Sequence, residues 1–240
     1  MLNELREVVL RENLRLVAEG LVKLTWGNVS GIDREKGLVV IKPSGVPYAT
    51  MTADDLVIVD LDGRRVEGSL RPSSDLPTHL ALYRAFPRIG GVVHTHSTEA
   101  TARAQSRREI PCYGTTHADC FHGPVPVARF LTPEEVAADY EGLTGTAIVE
   151  RFRDLDEMAV PGVLVAGHGP FTWGATPTAA VDNAVALEEI ARMARFTEAH
   201  LSHLVPTLGR GDVELPHHIS EKHYQRKHGK NAYYGQKNRR

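Results

Sequence analysis

Two histidines separated by one residue, His94 and His96, stand at the end of the apolar run Gly91-Val92-Val93. β-branched valines that follow glycines predict a buried strand leaving a turn. Side chains alternate across a strand, so both imidazoles are predicted to lie on one face, about 7 Å apart. Two imidazoles in this arrangement can share a metal ion.

A third histidine, His168, follows a second apolar run, Gly162-Val163-Leu164-Val165, and is flanked by glycines. Three histidines with an open fourth position form the ligand set of a catalytic rather than a structural zinc site. The alternative is that all three are ordinary core or surface histidines, because the chain contains 12 of them. The two strand contexts favour the metal site.

An aspartate, Asp75, precedes the helical pattern that begins at Leu76. Its carboxylate could cap that helix, since aspartate is a favoured N-cap residue. It could instead turn toward the metal, because carboxylates bind zinc at about 2.0–2.2 Å. Both roles are chemically sound, and we favour the metal role.

Three short polar loops have the composition of an anion-binding site. Glycine lets backbone N–H groups approach a ligand closely, and a helix N-terminus adds positive potential. No Walker sequence is present, so the phosphate would belong to a small substrate rather than to ATP. The candidate residues are Gly27, Asn28, Ser44, Gly45, Ser73 and Ser74.

Candidate acid/base groups lie further along the chain. Asp119 has two histidines nearby, His117 and His122, and could be either a general base or a turn residue. The region 223–236 interleaves basic residues with aromatic ones and includes Tyr234. Such a segment can bind nucleic acid. It can equally place a tyrosine acid and cations over an anionic substrate.

Composition limits the class of protein. The chain has 240 residues, of which 42% are hydrophobic, so residues 1–240 suit one domain with a real core. A net charge of −2 argues against nucleic acid as the main partner. Two cysteines give no disulfide framework and suit a reducing cytosol, so we expect a cytoplasmic protein. We expect neither a signal peptide nor a membrane span.

The periodicity predicts helices over 2–17, 76–83, 98–105 and 179–203, with another beginning at 132. Short β-like runs cover 24–32, 38–42 and 56–61, and Asp62-Gly63 is a hairpin signal. Strands and helices are interleaved and the strands are short. The sequence therefore predicts one α/β domain with a central, mainly antiparallel sheet flanked by helices.

Five motifs, in this order along the chain, resemble the class II sugar-phosphate aldolase family. The tail Tyr233-Tyr234-Gly235-Gln236 is similar to the L-ribulose-5-phosphate 4-epimerase branch of that family. The aldolase branch usually carries glutamate at the position of Asp75, so the aspartate also agrees with the epimerase branch. The five motifs are Gly27-Asn28-Val29-Ser30-Gly31, Lys42-Pro43-Ser44-Gly45, Pro72-Ser73-Ser74-Asp75, His94-Thr95-His96-Ser97 and Gly167-His168-Gly169-Pro170.

The resemblance implies a three-layer sandwich and a divalent metal, zinc or alternatively manganese, held by His94, His96 and His168 with Asp75 in the fourth position. It implies that the six loop residues contact a sugar phosphate. It also implies that Asp119 and Tyr234 are the acid/base pair, with the tail 216–240 contributing to active sites between subunits of a cyclic homotetramer. Residues 237–240 receive no role.

The implied reaction interconverts L-ribulose 5-phosphate and D-xylulose 5-phosphate by retro-aldol cleavage and re-addition, in L-arabinose catabolism. One alternative is a class II aldolase, such as a fuculose-phosphate aldolase, that releases the two fragments. A second alternative is a non-catalytic metal-binding protein with a basic tail that binds nucleic acid.

Overall fold

A single eight-stranded sheet forms the centre of the chain in the computed structural model, which describes residues 2–202 and 213–235. Its strands are β1 (Gly27–Asp33), β2 (Leu38–Ile41), β3 (Val57–Asp60), β4 (Arg65–Glu67), β5 (Gly91–Thr95), β6 (Val127–Ala128), β7 (Gly162–Val165) and β8 (Pro170–Gly174). Their order across the sheet is β4-β3-β2-β1-β5-β8-β7-β6. Every neighbouring pair is antiparallel except β6 and β7. The predicted mainly antiparallel sheet is confirmed.

Seven α-helices are described around the sheet, and they cover both of its faces. They are α1 (Asn3–Ala18), α2 (Leu76–Ala85), α3 (Thr98–Gln105), α4 (Thr115–Ala118), α5 (Pro133–Arg151), α6 (Pro177–Ser202) and α7 (His217–His228). Two 3₁₀ turns, Tyr48–Thr50 and Ala53–Asp55, connect β2 to β3. Within the described ranges, none of these helices combines the length and the apolar character needed to cross a bilayer.

The strands bury both faces, and their alternation builds two cores. Val39 and Ile41 of β2 pack into the larger core with α2 and α5, whereas Val40 between them packs into the smaller core with α1. Val92 and Val93 of β5 divide in the same way. Because successive side chains point to opposite faces, each strand contributes to both layers. The predicted three-layer arrangement follows from this.

The predicted elements match closely, with differences at their ends. Helix α3 has the predicted bounds, and α1 is shifted by one residue at each end. Strand β1 begins at Gly27 rather than at residue 24, because Leu24 has a φ of 51° and belongs to a turn. The hairpin between β3 and β4 is present, with Gly63 at a φ of 82°. The predicted end of α6, residue 203, lies outside the described residues.

Helix α5 is interrupted near the site. Asp139 has a non-helical backbone, and its carboxylate accepts a hydrogen bond from the Gly142 amide at 3.1 Å. A Cβ on Gly142 would lie 2.0 Å from the Asp139 carboxylate, so the glycine permits this local cap. The break places the next two residues, Tyr140 and Glu141, on the wall of a cavity.

Candidate metal centre and substrate cleft

The three predicted histidines come together at one end of the sheet. His94 is in β5, His96 follows the end of that strand, and His168 lies in the turn between β7 and β8. One nitrogen from each ring lies within 4.8 Å of the others. The ring centroids are 4.9 Å apart for His94 and His96, and 4.7 and 5.1 Å from those two to His168. The shared strand face of His94 and His96 is therefore confirmed.

The hydrogen bonds of His94 leave the right atom free for a metal. Its Nδ1–H donates to the Pro170 carbonyl at 2.9 Å, so the lone pair is on Nε2. That Nε2 lies 3.1 Å from Nε2 of His96. Burial lowers the pKa of His94 to about 3 and also lowers the pKa of His168. Neutral imidazoles are the form that binds metal ions.

The donor set fits a divalent cation. His168 Nδ1 is buried and has no hydrogen-bond partner among the residues that the structure describes. Two ring nitrogens also face each other at hydrogen-bond distance where a shared ion would satisfy both. Three imidazole nitrogens with space beside them match a catalytic rather than a closed structural site.

Asp75 does not cap helix α2, so the capping alternative is wrong. It immediately precedes the helix, but its side chain makes no capping hydrogen bond. Its Oδ2 instead accepts from Nδ2 of Asn28 at 2.6 Å and from Oγ of Ser73 at 3.4 Å. Burial acts to raise the pKa of this carboxyl, but the nearby imidazoles of His94 and His79 and the Asn28 amide outweigh it and lower the pKa. Asp75 is therefore an anion on the wall of the cleft.

The three polar loops converge beside the histidines. The Ser73 amide donates to the Lys42 carbonyl and the Ser44 amide donates to the Arg71 carbonyl, both at 2.9 Å, which joins two of the loops. Asn28 Nδ2 donates to Ser73 Oγ at 3.0 Å and joins the third. Backbone pairing between distant loops thus aligns side chains that are 45 residues apart in the chain.

Gly27 is the one loop position where glycine is required by close packing. Its φ is 115°, and a Cβ there would lie 2.8 Å from the carbonyl oxygen of His94. The same segment is held from the other side, because the Tyr48 hydroxyl donates to the Gly27 carbonyl at 2.7 Å. Substitution at Gly27 would therefore displace the strand that carries the first metal ligand.

Together these residues enclose a cavity of about 410 Å³. We call it the histidine cleft. All six loop candidates, the three histidines and Asp75 line it. The full lining is Thr25, Trp26, Gly27, Asn28, Lys42, Pro43, Ser44, Gly45, Ser73, Ser74, Asp75, His94, His96, Tyr140, Glu141 and His168.

Sequence reasoning did not single out Lys42, Tyr140 and Glu141. Lys42 is 2% exposed, lies 4.9 Å from the Tyr48 ring centroid, and burial lowers the pKa of its ammonium group. A charged residue ending the apolar strand β2 was the available signal for it. No sequence signal marks the other two, because only the break in α5 brings them to the cleft.

The proposed acid/base residues form a second group, which we call the tail cluster: Asp119, His223, Arg226, Tyr233 and Tyr234. The Asp119 carboxylate accepts from Arg226 Nε at 3.1 Å and Nη2 at 2.6 Å, and His223 Nδ1 lies 3.1 Å away. Burial acts to raise the pKa of Asp119, but Arg226 and His223 outweigh it and lower the pKa. Helix α7 is thereby attached to α4.

Tyr234 is held by its backbone and exposes its ring. The amides of Tyr233 and Tyr234 donate to the Arg226 carbonyl at 2.9 and 3.0 Å. The Arg226 guanidinium and the Lys227 ammonium lie 5.0 and 5.5 Å from the Tyr234 ring centroid. The ring is 59% exposed. Neither Tyr234 nor Asp119 is among the described residues that line the histidine cleft.

The chain is similar to known proteins along nearly its whole length. The L-ribulose-5-phosphate 4-epimerase UlaF of Salmonella paratyphi A (strain ATCC 9150 / SARB42) is 52% identical over 236 residues, which cover 98% of this chain and 100% of that protein. A solved structure of L-fuculose 1-phosphate aldolase aligns with a TM-score of 0.75 and 27% identity, over 93% of this chain and 95% of the other. The putative aldolase/epimerase/decarboxylase YgbL of Escherichia coli aligns with a TM-score of 0.67 and 26% identity, over 92% and 97%.

The family model described as Class II Aldolase and Adducin N-terminal domain matches residues 7–195. This span holds the whole sheet and every residue that lines the histidine cleft. Helix α7 lies beyond it. The chain belongs to the class II aldolase and adducin N-terminal domain family.

Proposed function

We propose that this protein is a metal-dependent epimerase that interconverts L-ribulose 5-phosphate and D-xylulose 5-phosphate. The observation that carries the proposal is one cavity lined by three clustered histidines and by serine and asparagine side chains that can donate hydrogen bonds to a phosphate group. The 52% identity over the full length to a relative named as this epimerase supports the choice of substrate. The same family accommodates aldolases, so the decision between the two reactions is the one to be tested.

The phosphate end of the substrate has a natural binding region. Ser44, Ser73 and Ser74 offer hydroxyl donors, and Asn28 offers an amide. The buried Lys42 ammonium supplies positive charge on the same wall. Charge-assisted hydrogen bonds to phosphate oxygens are stronger than neutral ones, so these groups would fix one end of the sugar.

Carbon 4, whose configuration is inverted, is not next to the carbonyl group, so its hydrogen is not acidic. Direct deprotonation of this carbon is therefore not an available route. Removing the proton of the hydroxyl on carbon 4 allows the bond between carbons 3 and 4 to break. The products are an enediolate and glycolaldehyde phosphate. The aldehyde then rotates, the bond re-forms on its other face, and a proton returns to the new hydroxyl. This sequence needs one acid/base group on each side of the aldehyde.

His94, His96 and His168 would hold the metal, with the Asp75 carboxylate beside them as a fourth ligand. When bound, a divalent ion supplies Lewis-acid stabilisation of negative charge on substrate oxygens. The all-imidazole set favours zinc among common divalent ions, because magnesium and calcium prefer oxygen ligands. The chain's own contribution is to hold the three rings close together, to orient His94 through its bond to the Pro170 carbonyl, and to keep His94 and His168 neutral by burial.

We further propose that Asp119 and Tyr234 are the two acid/base groups and that a neighbouring copy of the chain supplies them. Both lie outside the cleft of their own chain, and the Tyr234 ring is 59% exposed. Two cationic side chains, those of Arg226 and Lys227, lie beside that ring and could stabilise negative charge on a substrate there. A cyclic homotetramer would bring one copy's tail cluster to the next copy's histidine cleft. The free cysteines Cys112 and Cys120 support a cytoplasmic setting, with a place in L-arabinose catabolism.

The direct test is incubation of the zinc-loaded protein with L-ribulose 5-phosphate, followed by ¹³C NMR. We expect D-xylulose 5-phosphate to accumulate to equilibrium without free glycolaldehyde phosphate. Removal of the metal with a chelator should stop the reaction, and added zinc should restore it. Release of free aldehyde together with dihydroxyacetone would identify an aldolase. No turnover, with salt-sensitive binding to RNA, would support the binding-protein alternative.

A further inference from the structure

A chain of buried hydroxyl and imidazole groups lies beneath the histidine cleft. The Tyr83 hydroxyl lies 2.8 Å from Ser30 Oγ, and Ser30 Oγ lies 2.7 Å from His79 Nδ1. All three residues are fully buried. Ser30 is in β1, which also carries Asn28, whereas Tyr83 and His79 are on one face of α2, which follows Asp75. This series of hydrogen bonds therefore links strand β1 to helix α2, which begins at the histidine cleft.

The order of donors along this chain determines the tautomer of His79. Tyr83 has one hydroxyl proton, and Ser30 Oγ is its acceptor in the described part of the protein. In the arrangement that gives both hydroxyl protons an acceptor, Ser30 donates to His79 Nδ1, which then carries the lone pair. Burial lowers the pKa of His79 to about 4, so the ring is neutral near pH 7. The remaining proton is consequently on Nε2.

The Nε2–H group of His79 is a buried donor with no partner among the described residues. Leaving such a donor unpaired costs about 1–3 kcal/mol, so an acceptor is expected close by. Asp75 is four residues earlier, which puts it on the same helical face. The negative charge of Asp75 acts to raise the pKa of His79. Among the described residues, no other carboxylate acts on the pKa of His79.

We propose that His79 is a positioning residue whose Nε2–H holds the Asp75 carboxylate, directly or through one water, in the orientation that the loaded metal site uses. Ser30 and Tyr83 fix the tautomer that makes this possible. The inference rests on the proposed function for the role of Asp75 at the metal. Helix α2 then has a second role besides packing, which is to present the Asp75 carboxylate to the metal site in a fixed orientation.

The first test is the tautomer of His79 in the full-length, metal-free protein, read by long-range ¹H–¹⁵N NMR on ¹⁵N-histidine-labelled protein. We expect Nε2 to be protonated and Nδ1 to be an acceptor. Ser30→Ala should convert His79 to a mixture of tautomers, because nothing then donates to Nδ1. Protonation on Nδ1 in the wild-type protein would overturn the proposal.

The second test is a double-mutant cycle on the affinity for Zn²⁺ alone, measured by competition with a chromophoric chelator. His79→Phe should weaken zinc binding about tenfold or more, as loss of a partner of a metal ligand does. His79→Gln keeps an amide donor and should recover most of the loss. In an Asp75→Asn background, His79→Phe should change zinc affinity less than twofold.

The matched control is Thr172→Val, which removes another buried hydrogen bond, from Thr172 Oγ1 to the Ala180 carbonyl. It should leave zinc affinity unchanged. An equal effect of His79→Phe with and without Asp75 would assign His79 a merely structural role and overturn the proposal. If His79→Phe does not fold, Ser30→Ala enters the cycle in its place. Failure of the wild-type protein to epimerise would remove the proposed function while leaving the cycle interpretable.

Discussion

The histidine cleft and the tail cluster differ in how much of their environment one chain provides. His94 in the cleft is 1% exposed, its Nδ1 is bound to a backbone carbonyl, and its ring stacks on Phe171 at 4.2 Å. Tyr234 in the tail cluster is 59% exposed, with its ring against the side chains of Arg226 and Lys227. The cleft is thus organised within the chain, whereas the tail cluster presents its groups outward.

The histidine cleft and the tail cluster therefore meet different requirements. Rings that must remain neutral and fixed are placed where burial and strand backbone enforce both properties. The tail cluster is kept in shape by ion pairs and by two backbone hydrogen bonds to one carbonyl. We therefore expect changes in the cleft to abolish metal binding, and changes in the tail to affect proton transfer alone.

The largest effect should come from His96→Asn. It removes one of three metal ligands at an exposed position, so the fold should survive while bound zinc and activity are lost together. Metal content by mass spectrometry and turnover of L-ribulose 5-phosphate measure the two losses, and circular dichroism checks the fold. Full metal content with full activity would exclude His96 from the centre.

Tyr234→Phe should lower the rate of epimerisation at least about a hundredfold, the lower range for loss of general acid/base catalysis. Zinc content should stay at the wild-type level, because the tail cluster does not line the histidine cleft. Tyr233→Phe is the matched control, since its backbone makes the same hydrogen bond and its ring is equally exposed. Equal losses in both variants would contradict a specific role for Tyr234.

Truncation after Gly229 should reproduce the Tyr234→Phe defect and leave metal binding intact. It removes both tyrosines but keeps helix α7, which ends at His228, and the ion pair of Arg226 with Asp119. Adding back the missing residues as a separate peptide tests for partial rescue. Epimerisation at the full rate by the truncated enzyme would show that the residues after Gly229 have no role in the reaction.

Acidification should destabilise the protein through its buried, neutral histidines, whereas the ion pair of the tail cluster stays charged. Burial lowers the pKa of His79 and of His117 to about 4, below the value of about 6.5 in an unfolded chain. The unfolded state therefore binds more protons between these values, and the free energy of unfolding falls as pH decreases. The loss is about 2 kcal/mol per residue between pH 7 and pH 5.

Urea unfolding of the metal-free protein at both pH values measures this loss. His117→Phe should reduce the pH dependence by about a third or less, because His94 and His168 also have lowered pKa values. The lowered pKa of Asp119 keeps its ion pair with Arg226 charged over the same window. A pH-independent free energy of unfolding would contradict neutral burial of the two histidines.

The smallest effect should come from the phosphate loops. Ser44→Ala combined with Ser73→Ala removes two hydroxyl donors to the substrate but no metal ligand, so KM should rise about tenfold with little change in kcat. Inorganic phosphate should inhibit the wild-type protein competitively and the double variant more weakly. An unchanged KM, with no inhibition by phosphate, would reduce these loops to ordinary turns.

Much of the cleft follows from the sequence, because the signals are local. The residue spacing in His94-Thr95-His96 fixes a shared strand face, and the glycines around His168 fix a turn at a strand end. The six loop residues carry their chemistry in short motifs. The orientation of Asp75 could not be derived, since a carboxylate before a helix can serve either the helix or a distant amide. Only Asn28, which pairs with it at 2.6 Å, decides this.

The sequence alone determined the fold class and located the three candidate metal ligands and the candidate loop donors, because strand period and turn chemistry act over a few residues. Tertiary structure decided the rest. It buried Lys42 in the cleft, broke α5 at Asp139 to bring Glu141 there, and placed a neutral His79 beneath Asp75. Such features depend on which distant elements pack together and on the water that this packing excludes. Neither the packing partners nor the excluded water can be derived from the spacing of neighbouring residues.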